Sequence, residues 1–325
     1  MFNVLNPDNV ELDAELQISG LRIIRKIIET SNVETMAPAS EWETEDWEHC
    51  VAQIDAKQNY LVEKGCVEFL CKYISDCDIQ EALDEAILVA IALLLGGNNN
   101  TQERFLTYMI NDENNYLLLR IKEILFRAFD IAKRKISDKM VQMHNEQSDD
   151  EEDEFADSFQ DTANNVSQDG NLTTEEIEDV EDEDDFDDTP DSLEASIINC
   201  NRVLRFLQLL CENHHLGLQN FLRVQTADDV TNNKSFDFVT HIATMFGTFI
   251  KGYTICYSSN LGDQLMATLT EFIQGPCKQN QSALINAKVI DNCSELIFSY
   301  NSKSSLKSKG FVDEYEIELD ELKQH

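Results

Sequence analysis

Glu85-Ala86-Ile87-Leu88-Val89-Ala90-Ile91-Ala92-Leu93-Leu94-Leu95-Gly96-Gly97-Asn98 is the stretch whose reading decides the fold. From Leu83 to Leu95 the only charges are Asp84 and Glu85, so a helix here is apolar on nearly every face and must be surrounded by other helices. Gly96-Gly97 supplies the positive φ that closes a helix C-terminus. Asn100, with Glu103 three residues on, has the spacing of a capping box that opens the next helix. The apolar run Ala86–Leu95 is ten residues long, half of the roughly 20 that a bilayer-spanning helix needs.

Working outward, apolar residues recur at spacings of three and four, and the 325 residues contain only 4 Pro and 11 Gly, so the whole chain reads as helical. Leu16, Ile18, Leu21, Ile23, Ile24, Ile27 and Ile28 mark a first amphipathic helix. An acidic connector, Glu41-Trp42-Glu43-Thr44-Glu45-Asp46-Trp47, follows, in which at least one tryptophan is expected to pack. Helices are then predicted over Tyr60–Ser75, Ile79–Leu95, Thr101–Met109 and Tyr116–Met143. A second succession covers Leu193–Glu212, Leu216–Val224, Ser235–Lys251, Gly262–Gln274 and Ser282–Tyr300, with Gln274-Gly275-Pro276 a strong stop. The fold class is all-α, an armadillo/HEAT-like α-solenoid bundle in two blocks, although no fixed repeat period emerges from the sequence. The expected organisation is an N-terminal helix and acidic connector (1–57), a helical domain (58–147), a disordered acidic linker (148–191), a second helical domain (192–300) and a charged tail (301–325).

The formal net charge is -37. Asp149–Asp191 holds 21 acidic residues and no Lys or Arg, leaving 41 acidic against 25 basic elsewhere. Such a chain repels phosphate backbones and anionic membranes, which argues against nucleic-acid partners. Its few apolar residues cannot offset the entropy of ordering this segment, hence the expected linker. Within it, Asn165, Ser167, Asp169, Asn171, Thr173 and Glu176 place oxygen donors at EF-hand loop positions with Gly170 at the bend. Asn165 is a poor first ligand and no partner hand exists, so diffuse cation attraction is the favoured reading over a calcium site.

Nine cysteines, an odd number at irregular spacing, sit mostly inside apolar runs, as reduced core cysteines do. Cys211 with His214 and His215 lacks the further ligands that zinc requires, and Cys66, Cys71 and Cys77 match no zinc spacing. There is no Gly-rich phosphate loop, G-x-S-x-G or H-E-x-x-H, so no enzyme and no cofactor are expected. Polar residues at predicted turns, Asn213, His214, Gln219, Asn220, Gln274, Asn280 and Gln281, are read as locks on helix ends before they are read as partner contacts.

Two motifs in fixed order carry a resemblance. Arg205-Phe206-Leu207-Gln208-Leu209-Leu210-Cys211-Glu212-Asn213-His214, continuing through Leu218-Gln219-Asn220-Phe221-Leu222-Arg223, is similar to the opening of the RIH-associated domain of inositol trisphosphate and ryanodine receptor calcium-release channels. Leu269-Thr270-Glu271-Phe272-Ile273-Gln274-Gly275-Pro276-Cys277 with Asn280-Gln281 resembles a later motif of that domain. The Glu85–Asn98 stretch, with Gly96, Gly97 and Asn98 at its turn, looks like the helix and turn that precede it. His215 and Gly217 depart from the family pattern. The resemblance runs from Gln58 to Phe298 and includes no ligand-binding trefoil, pore bundle or selectivity filter. It implies an internal cytosolic segment of such a channel at the endoplasmic reticulum, acting on other channel domains or subunits and not inserted in the membrane. A free-standing helical adaptor for proteins is the competing expectation.

Overall fold

The computed structural model describes residues 13–29, 44–147, 190–225, 235–256 and 259–307. Every regular element among them is a helix: α1 (Ala14–Glu29), α2 (Thr44–Glu63), α3 (Cys66–Asp76), α4 (Gln80–Leu94), α5 (Asn99–Asn111), α6 (Tyr116–Gln147), α7 (Pro190–Cys211), α8 (Leu216–Arg223), α9 (Phe238–Cys256), α10 (Ser259–Ile273), α11 (Lys278–Asn286) and α12 (Val289–Lys307). A 3₁₀ turn, Glu212–His214, joins α7 to α8. None of these helices is long and apolar enough to cross a membrane.

The packing sorts the helices into threes. α1, α4, α7 and α10 stack side by side in chain order; so do α2, α5, α8 and α11, and so do α3, α6, α9 and α12. The molecule is therefore a solenoid of four three-helix repeats, α1–α3, α4–α6, α7–α9 and α10–α12. The repeat leaves no period in the sequence because the third helices and their connectors differ greatly in length: α6 has 32 residues and α3 has 11.

α4 shows why the stack holds. It lies between α1 and α7, and Leu83, Ala86, Ile87, Ala90, Leu93 and Leu94 are buried around most of its circumference. The stretches 58–147 and 192–300, separate in sequence, share one hydrophobic core that runs from Ile18 to Val289. Phe105 of α5 meets Phe206 of α7 edge-on at 5.4 Å between centroids, and Arg202 of α7 pairs with Asp84 of α4 at 2.7 Å. Burying a side chain such as Leu or Phe contributes about 1.5–3 kcal/mol, so this junction is as well founded as those on either side. In the column of third helices, His241 of α9 stacks on Phe126 of α6 at 4.3 Å, and burial beside Lys122 lowers its pKa to about 4.

Several boundaries differ from the sequence reading. Tyr60–Ser75 is two helices, divided at Gly65 with φ 83°. Ser282–Tyr300 is likewise two, divided at Lys288 with φ 58°. The cap of α5 is Asn98, whose Oδ1 accepts Thr101 N–H at 3.0 Å; Asn100 is inside the helix and donates to Asn59 at 3.0 Å. α7 begins at Pro190, three residues before Leu193, because the fixed φ of proline suits a first helical turn. In α1 the inner face is Ile18, Leu21, Ile24 and Ile28, while Leu16, Ile23 and Ile27 are exposed. Trp42, the EF-hand-like positions Asn165 to Glu176 and nearly all of 148–191 lie outside the described residues, as does the side chain of Trp47.

Candidate functional site

A helix end leaves four carbonyls without intrahelical partners, and in a solenoid those ends are crowded against the next repeat. Here the second helix of each repeat answers with a glutamine. Gln58 of α2 donates both N–H bonds of its amide forward to Ala92 O (2.9 Å) and Leu95 O (3.0 Å) at the end of α4. Gln102 of α5 donates to Leu209 O (3.0 Å) and Glu212 O (2.9 Å) at the end of α7. Gln219 of α8 donates to Glu271 O (2.7 Å) and Gln274 O (2.9 Å) at the end of α10. In each case the two acceptors are three residues apart, one turn of helix, which is the separation a single amide NH₂ can bridge. All three glutamines are fully or almost fully buried.

Around the second and third clasps the resemblance motifs converge. Asn213, held in the left-handed region at φ 61°, donates to Gly96 O at 3.1 Å and Gly97 O at 3.3 Å. Gly97 has φ 69°, and a Cβ there would lie 2.2 Å from Asn213 Nδ2 and 2.9 Å from its Cγ, so only glycine admits this contact. Asn280 donates to Gln219 O and Phe272 O, both at 2.9 Å, and accepts from Arg223 Nε at 3.0 Å. Gln281 holds the α10 end through Ile273 O (3.0 Å) and Gly275 O (3.1 Å). Gly275, at φ 79°, passes over the His214 side chain, and Pro276 beside it is exposed. The Cys277 thiol reaches Phe272 O and Gln274 O, each at 3.4 Å. Arg205, Phe206, Leu207, Gln208 and Cys211 lie on α7; the last four are buried, with Gln208 accepting from Gln264 of α10 at 2.8 Å. Asn220 is exposed on α8, apart from the clasps.

The sites of departure from the family pattern are occupied by mutually fitted groups. His215 caps α8, its Nδ1 accepting Leu218 N–H at 3.2 Å, and its Nε2 lies 3.1 Å from Glu103 of α5. Gly217 brings the α8 backbone close to Leu106, which a Cβ would meet at 3.1 Å.

One patch beside the third clasp is acceptor-rich. Glu212 Oε2, Glu271 Oε2 and Gln219 Oε1 are buried with no hydrogen-bond partner among the described residues. Burial raises the pKa of Glu271, the Glu212 charge raises it further, and His214 and Arg205 oppose. Burial also raises Glu212, opposed by Arg205. A shared proton or an accepted cation would relieve such a patch. No group of three or more His, Cys, Asp or Glu is placed to hold a metal among the described residues. The Cys211 thiol is pushed well up by burial and by Glu271, which leaves it protonated and packed at neutral pH.

The clasps and their geometry define the class, a helical solenoid whose repeats are locked end to end by side-chain amides. Residues 194–297, which run from within α7 into α12, match the family described as RyR and IP3R Homology associated. The chain is also 38% identical over 99 residues to the inositol 1,4,5-trisphosphate receptor itr-1 of Caenorhabditis elegans, a match covering 29% of this chain and 3% of that receptor. Its third and fourth repeats are thus a segment of the ryanodine and inositol trisphosphate receptor family.

Sequence reasoning assigned Gln219, Asn280 and Gln281 to turns but did not find Gln58 or Gln102 as members of the same series. The signal was present: Gln102, Gln219 and Gln281 each lie four residues after the N-cap of their helix, Asn98, His215 and Cys277.

Proposed function

We propose that the chain works by contact, as a cytosolic coupling segment of an intracellular calcium-release channel of this family, at the endoplasmic reticulum and beside other channel domains or subunits. The observation that carries the reading is the row of three forward clasps. Each amide ties the second helix of one repeat to the first-helix end of the next, so a displacement at one end of the stack is passed on as a rigid-body motion and is not absorbed at the junctions. The test is a chimera in which 194–297 replaces the matching segment of the nematode receptor. It should keep ligand-evoked calcium release, and Gln219→Leu in the chimera should cut release while leaving ligand binding unchanged. A chimera that assembles, binds ligand and releases calcium equally well with and without the clasp would remove the coupling role. A chimera that fails to assemble, with the free chain capturing the intact receptor, would favour the adaptor.

A second reading, calcium binding, is favoured by the patch of Glu212, Glu271 and Gln219, whose unpartnered oxygens suit a hard cation. Titration calorimetry with calcium chloride should give heat for the full chain and none for Glu271→Gln. Absence of heat from both would remove this reading.

A further inference from the structure

The clasp series is broken at one place. Gln58, Gln102 and Gln219 all reach forward to the following repeat, but Gln281, at the same position after its N-cap as Gln102 and Gln219, turns back to the end of α10 in its own repeat. Its usual acceptors would belong to the first helix of a fifth repeat. Repeat four also exposes large apolar side chains on the faces that repeat three does not cover: Met266 of α10 (40%), Ile285 of α11 (61%) and Ile290 and Ile297 of α12 (63% and 60%). At an internal junction such residues are buried, as the α4 core shows, and the final repeat of a solenoid ordinarily carries a polar outer face.

In chain order a first helix should come next after α12. The residues that follow carry Phe311, Tyr315, Leu319 and Leu322 at spacings of four, four and three, one apolar stripe over three turns of helix, preceded by Gly310. Between them stand Asp313, Glu314, Glu316, Glu318, Asp320 and Glu321. Repeat four offers exposed Lys278 and Lys288 at the two ends of α11, charges opposite to those of that segment.

We propose that the open face of repeat four is a docking surface for residues 311–322 of this same chain, seated as the first helix of a fifth repeat with the Gln281 amide clasping the carbonyls at its end.

The test is hydrogen exchange of the backbone amides of 311–322 in the full chain, read against a synthetic peptide of the same residues. Docking should slow exchange by on the order of tenfold or more. The double variant Ile290→Asp, Ile297→Asp, both exposed and so tolerated by the fold, should return 311–322 to the peptide rate with the helical circular dichroism unchanged. Gln281→Ala should reduce the protection part of the way. Exchange at the peptide rate in the unmodified chain would overturn the proposal, as would protection that survives the double variant. Protection that disappears on dilution together with a dimer peak would assign the face to a second copy of the chain, and would also overturn it.

Discussion

The seam between α1 and α4 and the seam between α7 and α10 perform the same stacking with opposite polar chemistry. At the first, Arg25 grips Glu85, with Nε–Oε1 at 2.6 Å and Nη2–Oε2 at 3.3 Å, and Arg22 adds a longer contact to the same carboxylate at 3.5 Å. At the second the polar groups are neutral: Gln264 donates to Gln208 at 2.8 Å, and Thr268 donates to Leu204 O at 3.1 Å. Beneath both seams the clasp is the same, Gln58 at one and Gln219 at the other. The amide clasp is the constant part of a junction, and the chemistry along the helix faces is free to vary. A neutral seam ignores salt, whereas the charged one responds to it in proportion to its exposure.

The comparison is broken most severely by removing a clasp. Gln219→Leu strands two helix-end carbonyls in a buried place and should cost about 2–4 kcal/mol in urea denaturation. The loss should be local, with exchange of α10 amides accelerated ahead of those in α1–α4. Gly97→Ala forces a side chain into a left-handed position and against Asn213, and should cost roughly 1–3 kcal/mol by the same measurement. Asn213→Ala should cost less, since it removes the contact without the strain, and equal losses would show that the glycine serves conformation alone.

Arg25→Met sharpens the contrast between seams. It leaves Glu85 nearly buried without its main partner and should cost about 1–2 kcal/mol, and raising the salt should weaken the unmodified α1–α4 seam, an effect this variant lacks. Thr268→Val, in the neutral seam, should show the same stability change at low and high salt.

The smallest effect expected is that of Glu271→Gln. Glu271 binds its proton more tightly in the folded chain than in the unfolded one, so its contribution is most favourable below the usual carboxylate range and is lost as pH rises through the raised pKa. The substitution should therefore raise Tm by about 2 °C near neutral pH, and the gain should vanish on acidification. A gain that is the same at all pH values would place the origin in packing.

The helices were legible because apolar spacing and the stops at Gly96-Gly97 and Gln274-Gly275-Pro276 state their chemistry locally. The break at Lys288 was not, since a lysine in the left-handed region gives no compositional sign and the apolar pattern runs across it. The repeat was hidden for a different reason. It is defined by which helices stack, and stacking partners such as α4 and α7 are separated by two helices and the acidic segment. Of the candidate site, the turn residues Asn213, Gln219, Asn280 and Gln281 could be read from their types, but their acceptors, 8 to 117 residues distant, belong to the tertiary structure.

The route of the chain between Gln147 and Pro190 joins two repeats that already lie against each other through α4, α6 and α7. Tension applied to the stack therefore travels laterally, from helix to helix, and the peptide bonds of that connection bear none of it. A molecule cut there should remain one mechanical body, its halves copurifying, and a channel subunit could carry insertions at this point of any length without losing stiffness.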